Sequence, residues 1–151
     1  MVNSGNESHK AVVVDSTWWL DFTDLERAEG GIGVNVNLPP RQVEYFEGQR
    51  PDAHGKSWID ADFIYTPIFV GIDHWVAAEI DLTNWCLNVY DCNSDLNPEP
   101  LVENTLAPMT TFFPRVLSLY KPLAEKFEEH VVHPLIYKGR VYGYPRIEES
   151  M

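Results

Sequence analysis

At 151 residues the chain is long enough for one domain with its own core, and 44% hydrophobic and 13% aromatic residues supply the material for it. A formal net charge of −12 sets an acidic surface against phosphate backbones and argues against a nucleic-acid partner. No apolar run reaches the roughly 18 residues that a membrane span needs, so no membrane role is expected.

The first ten residues, "MVNSGNESHK", are polar and lack the apolar stretch of a signal peptide. Residues 1–10 are expected to be flexible and 11–151 to form a single domain. The Asn6-Glu7-Ser8 sequon is then silent. Next, "AVVVDSTWWLDFTDLERA" starts as a short apolar run. It continues as a helix with Trp18, Phe22 and Leu25 on one face. "EGGIGVNVNLPP" is a turn-rich connector without the strand-to-helix setting of a phosphate loop. "RQVEYFEGQRPDAHGKSWIDAD" reads mostly as loop, with Gly48, Pro51 and Gly55 as breakers. "FIYTPIFV" is a strand whose Pro67 points to an edge or a bulge.

"HWVAAEID" and "CLNVYD" around "LTNW" form the strongest local signal, a β-hairpin. Further on, Val102, Leu106, Met109, Phe113, Val116 and Tyr120 step by four and three as a helical face, which Pro108 and Pro114 should break or kink. "PLAEKFEEH" is a further short helix, and "VVHPLIYKGRVYGYP" is strand and turn. The class is α+β, a small antiparallel sheet packed by helices.

The hairpin carries chemistry. Residues opposed across it have position numbers of constant sum. A two-residue loop at Leu82-Thr83 gives an odd sum, and so does a four-residue loop at Leu82–Trp85. Either way His74 and Asp91 share a face, directly opposite in the first case and diagonal in the second. A carboxylate beside an imidazole fixes the ring's tautomer, here expected through the Nδ1 proton, and steadies the imidazolium that forms when the ring takes a proton. Against this stand the plain readings of a packed histidine and a turn-forming aspartate, which spacing alone leaves open.

By the same parity Cys86 and Cys92 point to the other face, unless a three-residue loop or a bulge reverses it. On one strand they stand roughly 20 Å apart, well beyond disulfide reach. Two free thiols imply a reducing, intracellular compartment. Cys92 is weighed as a nucleophile against the reading of a small buried hydrophobe, which is preferred. His130 and His133 are three apart, but no Cys or further His stands near them, so no metal site is expected.

"HWVAAEIDLTNWCLNVYDC" resembles the His-Trp…Tyr-Asp hairpin of the ubiquitin-like-protein-specific proteases, the SUMO-processing cysteine peptidases. The likeness starts at Tyr45. "YFEGQRPDAHGKSWIDADFIYTPIFVGIDHW" is similar to plant-type, often transposon-borne members, with their Gly-x-Arg-Pro turn, Gly-Lys-x-Trp, acidic pair and Tyr-x-Pro strand. It spans roughly Val12 to Tyr120.

The resemblance implies a papain-like, adenain-type fold, with His74 as catalytic histidine and Asp91 as its orienting aspartate. It implies substrate contacts at Trp75, over the channel for a Gly-Gly tail, and at Trp58. It implies cleavage after Gly-Gly of a SUMO-type modifier or its conjugate, without a cofactor, in the nucleus or cytoplasm. The family continues past its aspartate into a glutamine and an Asp-Cys-Gly nucleophile turn. Here the only glutamines are Gln42 and Gln49, and no cysteine follows Cys92. The resemblance therefore implies a partial catalytic domain that is inactive by itself. The alternatives are a non-catalytic modifier-binding module and a transposon-derived remnant.

Overall fold

The computed structural model describes residues 10–28, 37–52, 55–71, 74–91 and 98–142. The flexible stretch expected at 1–10 falls outside these residues except for Lys10, as does much of the glycine-rich connector. Cys92 also lies outside them.

Strands β1 (Ala11–Val13), β2 (Phe63–Val70), β3 (His74–Asp81), β4 (Cys86–Asp91) and β5 (Ile136–Tyr142) form one sheet in that order. The expectation of an antiparallel sheet holds for β2–β3 and β3–β4 only. The outer pairs, β1–β2 and β4–β5, are parallel. The cause is connectivity, since parallel neighbours need long crossovers and the chain provides them as helices. Helices α1 (Ser16–Ala28) and α2 (Pro40–Phe46) lie between β1 and β2. Helices α3 (Glu99–Thr111), α4 (Phe113–Ser118) and α5 (Lys121–Lys126) lie between β4 and β5.

Helix α2 stands where the sequence suggested loop. Its start is set by Pro40 in the first turn, where the missing N–H costs nothing. Buried Gln42, Tyr45 and Phe46 hold it in place by tertiary packing, which a seven-residue segment does not announce. Of the two expected helix breakers, Pro114 falls at the break between α3 and α4, whereas Pro108 sits inside α3. Pro67 is at an edge in a local sense. β1 pairs with β2 only along Phe63–Tyr65, leaving that side of β2 unpaired at Pro67.

One sheet face forms the core. Ile64, Ile68, Val70, Val76, Ala78, Ile80, Leu87 and Val89 alternate onto it and are buried. Beneath lies an aromatic cluster in which Trp18 stacks on Phe22 at 5.1 Å and meets Trp58 and Phe113 edge-on or tilted at 5.8 and 6.2 Å. The turn after α2 closes against this core. Gly48 has φ +82°, and a Cβ there would stand 2.6 Å from the backbone carbon of Lys56, so only glycine fits.

Three phenols, Tyr45 and Tyr65 buried and Tyr137 partly so, donate to carboxylates at 2.6 Å: Tyr45 to Asp15, Tyr65 to Glu79, and Tyr137 to Glu99. Burial first, and then these hydrogen bonds, push all three phenols above the usual tyrosine range. A group held protonated in the fold stabilises it fully below its unfolded pKa and loses that contribution as pH rises beyond it. The urea midpoint is therefore expected to hold up to about pH 10 and to fall at higher pH. Tyr65→Phe should remove part of that fall. A midpoint independent of pH across this window would contradict the arrangement.

Candidate active site

The hairpin adopts the four-residue loop. Ala78 pairs with Val89 and Asp81 with Cys86, leaving Leu82–Trp85 as the connection. Asp81 builds the turn by accepting from Thr83 N at 3.1 Å and Asn84 N at 2.9 Å, while Trp85 takes the left-handed conformation that reverses the chain. This register makes His74 and Asp91 diagonal neighbours on the core-facing side, at the end of their strands.

There His74 Nε2 donates to Asp91 Oδ1 at 2.6 Å. Asp91 is 1% exposed and His74 8%. A carboxylate can only accept, so this contact assigns the ring proton to Nε2. The sequence reading had assigned it to Nδ1. The diagonal offset explains the exchange, because the more distant ring nitrogen is the one that reaches across it. Nδ1 is then the nitrogen left for proton transfer. The pair can accept a proton at Nδ1 while Asp91 steadies the resulting charge.

The second oxygen of Asp91 was not foreseen in use. Arg140 Nη1, from β5, donates to Asp91 Oδ2 at 3.0 Å, and Arg140 Nε donates to Glu99 Oε1 at 2.8 Å. Burial alone would lower the guanidinium's pKa, but its hydrogen bonds to Asp91 and Glu99 outweigh burial and raise it, so it stays charged. Tyr137 donates to the other Glu99 oxygen. The chain His74–Asp91–Arg140–Glu99–Tyr137 thus joins β3, β4, β5 and the first turn of α3.

Trp75 follows His74 and so faces away from it. It is 50% exposed and packs edge-on against Phe69 at 5.1 Å. Trp58 is placed elsewhere than the resemblance implied. It is 0% exposed, at 4.8 Å from Phe46 and 6.1 Å from Phe113, and belongs to the core, not to a surface open to a peptide. Its position in a single 3-10 turn at Trp58–Asp60, packed between helices, accounts for the burial. His130 packs at a tilt against Trp85, with ring centroids 5.2 Å apart. No group of three His, Cys, Asp or Glu suited to a metal exists among the described residues.

Cys86 pairs with Asp81 and faces away from His74, as parity requires. Burial, reinforced by the charge of Asp81, pushes its thiol up, away from the thiolate. Alkylation of Cys86 at neutral pH is therefore expected to be slow and indifferent to His74→Ala. Mass mapping of iodoacetamide adducts checks this, and fast labelling that depends on His74 would contradict it.

Comparison with known proteins matches the chain to one family. The family model described as "Ulp1 protease family, C-terminal catalytic domain" matches residues 7–135. Solved structures of the SUMO protease Ulp1 with its catalytic cysteine oxidised to a sulfonic or a sulfinic acid are similar at 20% identity and TM-score 0.46. The alignments cover 93% of this chain and 53% and 52% of those chains, so this chain spans about half the length of the structures it matches. No curated protein matches it. The match of the family model over most of the chain, including the whole His74–Asp91 hairpin, establishes the relationship: the chain belongs to the Ulp1 protease family, through the C-terminal catalytic domain.

Proposed function

We propose that this chain provides the base and its orienting acid for a cysteine peptidase that acts on SUMO-type modifiers, intracellularly, in the nucleus or cytoplasm. The 2.6 Å contact from His74 Nε2 to Asp91 Oδ1 carries the reading. It leaves Nδ1 to take a proton from a thiol, giving the thiolate that attacks the carbonyl after Gly-Gly. His74 is the base and Asp91 its orienter. Trp75, half exposed on the strand that bears His74, is the aromatic offered to the modifier's tail. Among the described residues no helix is long and apolar enough to cross a membrane.

The thiol is the part that this stretch does not place. Cys86 faces the wrong way and is held protonated. Cys92 is the only other cysteine, and both glutamines precede the hairpin. The 151 residues alone are expected to give no cleavage of a SUMO-type precursor and no adduct with a modifier bearing a C-terminal thiol-reactive group. Incubation with each, read by mass spectrometry, tests this. An adduct at Cys92 would make that residue the nucleophile. A second reading, a modifier-binding module without catalysis, is favoured by the exposed Trp75–Phe69 pair. Modifier binding lost on Trp75→Ala, together with a chain that stays inactive whatever supplies the thiol, would put it first.

A further inference from the structure

We infer that Arg140 is a positioning residue for the His74–Asp91 pair, held in place by Glu99; the inference rests on the reading of that pair as base and orienter. A buried carboxylate with two oxygens can rotate, and rotation would take Oδ1 away from the imidazole. Arg140 occupies Oδ2 at 3.0 Å, which turns Oδ1 toward Nε2. The guanidinium is itself fixed at its other edge, where Nε donates to Glu99 Oε1. Tyr137 restrains Glu99 in turn through Oε2. Three restraints therefore stand behind one catalytic hydrogen bond, supplied by the last strand and the first turn of α3.

The backbone of β5 is shaped for this. Leu87 pairs with Tyr137, but Asn88 pairs with Gly139, so Lys138 is an extra residue in β5. Gly139 has φ +90°, a conformation that side chains resist. Strict alternation would have sent Tyr137 and Arg140 to opposite faces. The extra residue brings both onto the face of Asp91, where both reach Glu99. The charge pattern fits the same role. Asp91 has no side-chain exposure and Arg140 only 14%, so the carboxylate keeps a fixed positive partner whether or not the imidazole carries a second proton. His74 can then take up and release a proton without stranding a buried charge.

The test uses the full 151-residue chain with 15N-labelled histidine. Long-range 1H–15N spectra report which ring nitrogen carries the proton, with the His74 signals identified by their absence in His74→Gln. The parent chain should show His74 as one tautomer, protonated at Nε2. Arg140→Met should lose that single-tautomer signature, while circular dichroism shows the sheet intact. Glu99→Ala removes a carboxylate at the edge of the network and serves if Arg140→Met does not fold. It should give a mixture of both tautomers. A lowered melting temperature with the Nε2 tautomer unchanged, in either folded variant, would make Arg140 structural only and overturn the inference. These spectra do not depend on cleavage, so their failure leaves the protease reading standing. An intact response in a chain that cannot be made to cleave fails that reading alone.

Discussion

Asp91→Ala is expected to remove about 3–5 kcal/mol of folding stability, the cost of breaking a buried ion pair from one side. Total stabilities of domains this size are on the order of 5–15 kcal/mol, so the variant should lose a large share of its stability and unfold at a much lower urea concentration. The argument is local. Asp91 is 1% exposed and joins Arg140 on one oxygen to His74 on the other. Truncation leaves a guanidinium with 14% side-chain exposure facing a void on its Nη1 side, still charged, while its Nε stays on Glu99. Asp91→Asn keeps the shape and an acceptor for Nε2, and should cost less. Urea titrations of parent, Asn and Ala chains followed by tryptophan fluorescence give the ranking. An Ala variant within about 0.5 kcal/mol of the parent, the range of an ordinary surface change, would mean that the network contributes little to the fold.

The hairpin was legible because its signals are local. Apolar alternation gave both strands, and loop parity placed His74 and Asp91 on one face whichever loop was used. Parity also turned Cys86 away. The α+β class and the family were carried by the ordered motifs from Tyr45 to Asp91, and membership of the Ulp1 family brings the papain-like class with it. What sequence did not carry is long-range. Arg140 meets Asp91 across 49 positions, and the extra residue beside Gly139 inverts the face that alternation would assign. Trp58 sits beside a motif of the substrate side, yet its burial depends on Trp18, Phe46 and Phe113 from three separate helices. The parallel outer strands likewise follow from where the helical crossovers return, which strand patterns do not encode. The choice of Nε2 over Nδ1 depends on a register offset of two residues, the difference between the two loops that sequence left open.

Joined to a downstream glutamine and an Asp-Cys-Gly turn, this chain is expected to cleave a SUMO-type precursor after Gly-Gly, and His74→Ala is expected to lower kcat/KM by a factor on the order of 10⁴ or more. The magnitude follows from cooperation. Without the imidazole nothing at the site withdraws the thiol proton, and the remaining Asp91 orients nothing. Asp91→Asn in the same longer chain should also be strongly impaired, because an amide in place of the carboxylate no longer compels Nε2 to carry the proton and leaves Nδ1 with the wrong tautomer. Trp75→Ala should act differently, raising KM more than it lowers kcat, since the ring follows His74 on its strand but points away from the reacting groups. Single-turnover and steady-state cleavage of a precursor with a fluorescent leaving group separate these effects. The pattern has internal force. If His74→Ala and Asp91→Asn fall together and the double variant falls no further, the two act as a unit through the hydrogen bond seen at 2.6 Å. Independent, multiplying losses would show that Asp91 serves the fold through Arg140 and not the reaction through His74.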